Sequence, residues 1–134
     1  MMSLHLLALL ENNGFGTIDF DLWNGELPMN KTGIALIPRG GSVSDGGLVT
    51  QDFDLYARAI TGQEIAMANL LEDIFIFLHR NCQCTLPPYI GCCEDIEAYK
   101  LIDIKGITPL EDLGRDLEGN KLYRWAYQIK YVKE

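Results

Sequence analysis

The chain is short of the parts that most chemistry needs. It holds two histidines in 134 residues, His5 and His79, and both fall in stretches with helical periodicity. A hydrolytic triad therefore lacks a suitably placed base. No G-x-S-x-G, P-loop or G-x-G-x-x-G pattern occurs, which removes the recognisable nucleophile elbow and the phosphate and dinucleotide cradles. Gly40-Gly41 is followed by no lysine-bearing helix start. Positive charge is scarce as well: 11 basic residues face 19 acidic ones, a formal net charge of -8. Nucleic-acid binders and surfaces that dock on anionic lipid both need a basic footprint. The acidic balance serves solubility, and its sharper reading is a surface to which a polyanion does not stick. Long apolar runs are missing too. Met1 to Leu10 is too short to span a bilayer. It lacks a basic n-region and a cleavage site, and Glu11 follows it. It reads as an amphipathic helix, so the expected compartment is cytosolic and the cysteines are expected reduced. Together these absences predict a protein that is not an enzyme and takes no cofactor.

What is present is ordinary globular material. Hydrophobic residues make up 48% and charged residues 22%, and the length suits one domain over 1–134 that buries about two-thirds of its unfolded surface. Ser3 is placed to cap a first helix, and Asn12-Asn13-Gly14 to end it. Thr17 to Trp23 reads as a strand with Ile18, Phe20 and Leu22 on one face, before the turn signal Asn24-Gly25. Ile34 to Ile37 is a short apolar strand that Pro38 should end. The loop Arg39 to Gly47, with four glycines, should be mobile when the protein is alone. Leu48 to Arg58 alternates, with Val49, Phe53, Leu55 and Ala57 on one face and Thr50, Asp52, Asp54 and Arg58 on the other. It should pair with Ile34 to Ile37 as a hairpin.

Thr61-Gly62-Gln63-Glu64 fits a capping box. The helix it opens should run to about Arg80 and bury Met67, Leu70, Leu71, Ile74, Phe75 and Leu78. Ile76 and Phe77 widen its apolar arc toward a second contact. Asn81 to Glu97 reads as irregular, Tyr99 to Lys105 as a strand and Thr108 to Asn120 as a polar connector. In Lys121 to Lys133, Tyr123, Trp125, Tyr127, Ile129 and Tyr131 alternate with polar residues, a half-buried strand. Strands joined through hairpins imply an α+β fold: a mainly antiparallel β-sheet flanked by an N-terminal helix and a long central helix.

One cluster has metal-ligand chemistry: His79, Cys82, Cys84, Cys92 and Cys93, spaced H-x-x-C-x-C-x7-C-C. Zinc is held by tetrahedrally placed nitrogen and sulfur ligands, usually from cysteine pairs two to four residues apart. Here a C-x-C and a bare Cys-Cys replace those pairs, so free thiols are the favoured reading. A zinc site and a disulfide formed in air are the alternatives. Acidic groups at Glu94, Asp95 and Glu97, and at Glu111, Asp112, Asp116 and Glu118, lack the calcium-loop pattern and read as a solvated face.

The order of features carries a resemblance. Leu9-Leu10-Glu11 with Gly14-Phe15-Gly16 comes first, then Trp23-Asn24-Gly25-Glu26-Leu27-Pro28. Ile34 to Ile37 then runs into Gly40-Gly41, and Phe53 to Arg58 feeds a helix that starts over Gln63 to Met67. Near the end, Pro109, Leu113-Gly114 and Gly119-Asn120 precede Tyr123 to Tyr131. This order resembles the tail terminator (minor capsid, tail-completion) proteins of long-tailed bacteriophages, over nearly the whole chain. The cysteine loop has no counterpart there. The resemblance implies a virion subunit that assembles in the host cytoplasm, commonly as a hexameric ring. Such a ring caps the tail tube, stops its polymerisation and offers a joining surface to the head connector or head-completion protein. DNA would pass through its acidic lumen without specific binding, with no membrane involved. Expected contact elements are Arg39, Gly40, Gly41, Ser42 and Asp45 in one loop, Pro87, Pro88, Glu94 and Asp95 in another, and Arg58, whose competing reading is a solvated arginine. Another neck protein, or a small zinc-binding adaptor built on the cysteine loop, is the alternative.

Overall fold

The computed structural model describes residues 2–44, 46–80, 83–88 and 98–133. Helix α1 (Met2–Asn12) is enclosed on nearly every side: Met2, Leu6, Leu7, Ala8 and Leu10 are all buried. A helix apolar all round must be covered, and α1 lies against strands β1 (Leu22–Asn24) and β2 (Gly33–Val43). Ser3 sits buried inside the helix, so it is not the expected cap. The C-terminus closes as its Asn-Asn-Gly pattern predicts. Gly14 is left-handed at φ 80°, its amide reaches the Glu11 carbonyl at 3.1 Å, and the Phe15 amide reaches Leu10 at 3.1 Å. Those two bonds satisfy the last helical carbonyls.

The strand expected over 17–23 shrinks to three residues, because 17–21 forms a tight turn. The Thr17 carbonyl accepts from Phe20, Asp21 and Leu22 at 3.1, 3.0 and 3.1 Å, and Asp19 is left-handed at φ 65°. Phe20 is consequently 74% exposed, not on a buried strand face. Beyond the turn β1 pairs parallel with β2, Leu22 opposite Ile34.

The largest departure from expectation lies at Pro38. Strand β2 does not end there. It continues through Arg39, Gly40, Gly41 and Ser42 to Val43, antiparallel to β3 (Leu48–Ala59). Pro38 pairs with Phe53 and Gly41 with Gln51, so β2 absorbs one extra residue as a bulge. A bulge is one of the few places where a sheet accepts proline. Gly41 answers a second constraint, since a Cβ there would run into the Thr50 carbonyl of β3. The glycine serves close strand approach, not a loop. The hairpin closes where Ser44 N donates to Leu48 O at 2.9 Å and Gly47 N to Ser44 O at 3.0 Å.

Helix α2 (Glu64–Arg80) follows, without the expected capping box. Gly62, at φ 95°, turns the chain between Thr61 and the helix. The Thr61 hydroxyl donates to the Gly119 carbonyl instead, at 3.1 Å, and the Glu64 carboxylate accepts from Gly62 N at 2.9 Å. Leu71, Ile74 and Leu78 are buried, with Met67, Leu70 and Phe75 packed beside them. Phe77 meets Phe15 at 5.0 Å between ring centroids. Ile65 and Ile76 remain exposed.

Strands β4 (Tyr99–Gly106), β5 (Glu111–Arg115) and β6 (Lys121–Lys133) complete one six-stranded sheet. The stretch expected as a polar connector thus contains β5. It is short and charged, and it is a strand because β6 offers it an edge. The order is β1-β2-β3-β6-β4, with β5 beside the first half of β6 and β4 beside the second. Among these six strands β1 and β2 pair parallel and the other pairs are antiparallel. The architecture is the expected α+β one: a mainly antiparallel sheet with an N-terminal and a central helix. Phe53, Leu55, Ala57, Tyr123, Tyr127 and Ile129 form the floor of the core on the helix side. Each large one contributes about 1.5–3 kcal/mol by leaving water. Among the described residues no helix is long and apolar enough to cross a membrane.

Candidate functional site

Strand alternation puts Asp52, Asp54, Tyr56 and Arg58 of β3, with Arg124, Gln128 and Lys130 of β6, on the face turned away from the core floor. Asp54 is its centre and is only 2% exposed. A carboxylate so buried must be paired. Arg39, reaching across from the β2 bulge, donates from Nε to Asp54 Oδ2 at 2.6 Å, and its Nη2 pairs with the same oxygen. Arg124 Nε lies 3.3 Å from that oxygen, and Arg124 Nη1 lies 3.7 Å from Glu111 of β5. The hydrogen bond to Asp54 raises the Arg124 pKa further above its ordinary value. A groove of about 240 Å3 opens over this network, lined in part by Ile107, Thr108 and Ala126.

Arg58 lies at the other end of the same hairpin and is not a solvated side chain. Its Nη1 donates to the Pro28 carbonyl at 2.7 Å and the Lys31 carbonyl at 3.0 Å. Its Nε lies 3.2 Å from Asp116, and the side chain is 16% exposed. Asp116 in turn accepts from the Glu118 and Asn120 amides at 2.9 Å each. Burial pushes the Asp116 pKa up, but the Asn120 and Glu118 amides outweigh it and hold it below the usual value. Arg58 therefore clasps two loops onto the sheet. Glu64–Arg115 at 2.7 Å and Lys121–Asp112 at 2.5 Å tie down the same end.

The opposite end is an arm. Arg39, Gly40, Gly41, Ser42 and Val43 are all exposed, as are Ser44, Gly46 and Gly47. Strand β1 stops at Asn24, opposite Leu36. From Ile37 to Val43 the outer edge of β2 carries no strand among the described residues. Asp45 lies outside the described residues.

Cys82, Cys92, Cys93, Glu94 and Asp95 also lie outside the described residues. Of the expected metal cluster, His79 stacks on Phe75 at 6.0 Å, and Cys84 is partly buried, which raises its thiol pKa. Among the described residues no three His, Cys, Asp or Glu side chains gather to hold a metal ion. The segment expected as irregular here runs along β4: Gln83 N donates to Leu101 O at 2.7 Å, Leu101 N to Cys84 O at 2.9 Å and Leu86 N to Tyr99 O at 2.8 Å. The Pro87 carbonyl accepts from His5 Nδ1 at 2.8 Å. His5 is fully buried and edge-on to Tyr99 at 4.8 Å, a histidine of the core. Pro88 is exposed.

Sequence reasoning placed Arg39 and Arg58 among the contact residues but missed what each one holds. The Asp54 network has no local signal, because the bulge that aims Arg39 is itself a product of pairing. No protein-family model matches this chain, and no curated protein matches it in sequence.

Proposed function

We propose that this protein is a structural assembly subunit of a long-tailed phage, the tail terminator. In this reading copies form a ring on the head-proximal end of the tail tube, stop its polymerisation and present the head-joining surface. The observation that carries the reading is the arm. The chain extends β2 beyond β1 and leaves Arg39 to Val43 exposed along an unpaired strand edge, a surface its own described fold does not use. Open strand edges invite pairing with another chain. The arm's neighbours would be other copies, the tube protein or the connector, and the location would be the virion neck. The role needs a rigid body and contact surfaces, not a reaction.

Electron microscopy of phage particles lacking the gene tests this. Overlong, headless tails are the expected result. Tails of normal length that fail to join heads would move the assignment to a head-completion or connector protein.

A further inference from the structure

We infer that, in the ring proposed above, copies join head to tail, the outward face of α2 in one copy resting on the open sheet face of the next. The inference rests on the ring reading and names its contact surfaces. Helix α2 buries one stripe against its own sheet and presents a second to the outside. Ile65 is 78% and Ile76 44% exposed, and exposed Asn69, Glu72 and Asp73 lie between them. Positions 65, 69, 72 and 76 recur at helical spacing, so they share a face. Two isoleucines bracketing two carboxylates form an amphipathic, acidic contact strip.

The open sheet face has the complementary character. Pairing registers put Arg58, Lys100, Lys105, Arg124 and Lys130 there, and Arg39 reaches it through Asp54: six basic residues against four acidic ones, Asp52, Asp54, Asp103 and Glu111. Arg39 and Arg124 engage Asp54 and Glu111, and Arg58 engages Asp116, which leaves Lys100, Lys105 and Lys130 beside Asp52 and Asp103. In a chain of net charge -8 this face therefore keeps a small positive excess. Half-buried Ile37 and Tyr56 supply apolar area beside it.

The dimensions agree. Ile65 to Ile76 spans about 16 Å of helix, and Arg124 to Lys130 about 20 Å of strand. A helix about 10 Å across covers two strands, here β3 and β6. Both surfaces belong to one chain and lie on opposite sides of its sheet. A contact between them is heterologous, the kind that repeats and closes into a ring. Each junction would lay a helix over a face that no described helix of the same chain covers.

Charge exchange tests the contact. One variant carries Glu72→Lys with Asp73→Lys, the other Lys105→Glu with Lys130→Glu; all four are outside the core, and circular dichroism checks folding. Association is followed by analytical ultracentrifugation over a concentration series. Each variant alone should associate about tenfold more weakly than the wild type, and an equimolar mixture should recover much of the loss. If the wild type assembles and either variant assembles equally well, or mixing recovers nothing, the inference is overturned and the ring reading stands. If the wild type stays monomeric throughout and tails lacking the protein have normal length, the ring reading falls and this inference with it.

Discussion

Arg58 sits at the base of the β2–β3 hairpin and Arg39 at the bulge where its exposed arm begins, and the fold treats them differently. Arg58 is 16% exposed and gathers two carbonyls and a carboxylate from loops that precede and follow the hairpin. Arg39 is 49% exposed and among the described residues pairs with one carboxylate, Asp54, which it shares with Arg124. One end is closed by side chains drawn from distant parts of the chain. The other is held chiefly by its backbone ladder and leaves its surface to the outside. The hairpin thus has a structural end and a presenting end, and the distribution of hydrogen bonds distinguishes them better than residue type does.

Loss of Arg58 should have the largest effect. Arg58→Ala strands two carbonyls and frees Asp116, and it should lower unfolding stability by about 2–3 kcal/mol. Arg58→Lys should recover little of that, because a lysine cannot fork to several acceptors. Chemical denaturation measures both. Gly41→Ala attacks the arm instead. Its Cβ meets strand backbone, which must shift, at a cost of about 1–2 kcal/mol. Hydrogen exchange should quicken for amides over 42–50 and stay unchanged over 116–121; quickening at both ends would show that the two ends are one cooperative unit. Arg39→Ala should cost only about 1 kcal/mol, since Arg124 still faces Asp54 and the lost pair is half in solvent. Arg39→Ala and Arg58→Ala share no partner, so their effects should add to within about 0.5 kcal/mol. A loss from Arg39→Ala equal to that from Arg58→Ala would erase the distinction.

How far the sequence could be read follows the same division. Helix α2, the Gly14 closure of α1 and the alternation of β6 were legible, because each is a local period or a local cap. The run of β2 past Pro38 was not. Proline and three following small residues resemble a loop until β3 is known to lie alongside and the bulge to take up the extra residue. The strand β5 is visible only through β6, and Thr61 loses its capping role to the Gly119 carbonyl. In the candidate site, Arg58 stood out as a charge ending an alternating strand. Its acceptors at Pro28 and Lys31 lie 30 and 27 residues away, and no spacing rule links them. The arm was expected as a mobile loop and is largely strand, since small polar residues face water in a loop and in an edge strand alike.

The smallest effect, and the one that separates the two ends by chemistry alone, is acid. The Arg58 end holds three carboxyl groups with lowered pKa values. The Arg115 hydrogen bond lowers Glu64 from 4.5, and the Lys121 hydrogen bond lowers Asp112 from 3.8. For Asp116 burial works upward, but the Asn120 and Glu118 amides bring it below 3.8. On unfolding each group regains its higher pKa and so binds protons more readily. Their contribution is therefore complete above about pH 4.5 and is lost as pH falls through the lowered values. Asp112 is exposed and Glu64 and Asp116 are partly so, so the loss is modest and added salt reduces it further. Hydrogen exchange between pH 4.5 and pH 3 should loosen amides over 116–121 relative to neutral pH. Asp116→Asn should remove part of the pH dependence of stability in that range while leaving the arm's exchange unchanged. An unaltered acid slope in Asp116→Asn would mean that the clasp at this end is held by the Pro28 and Lys31 carbonyls alone.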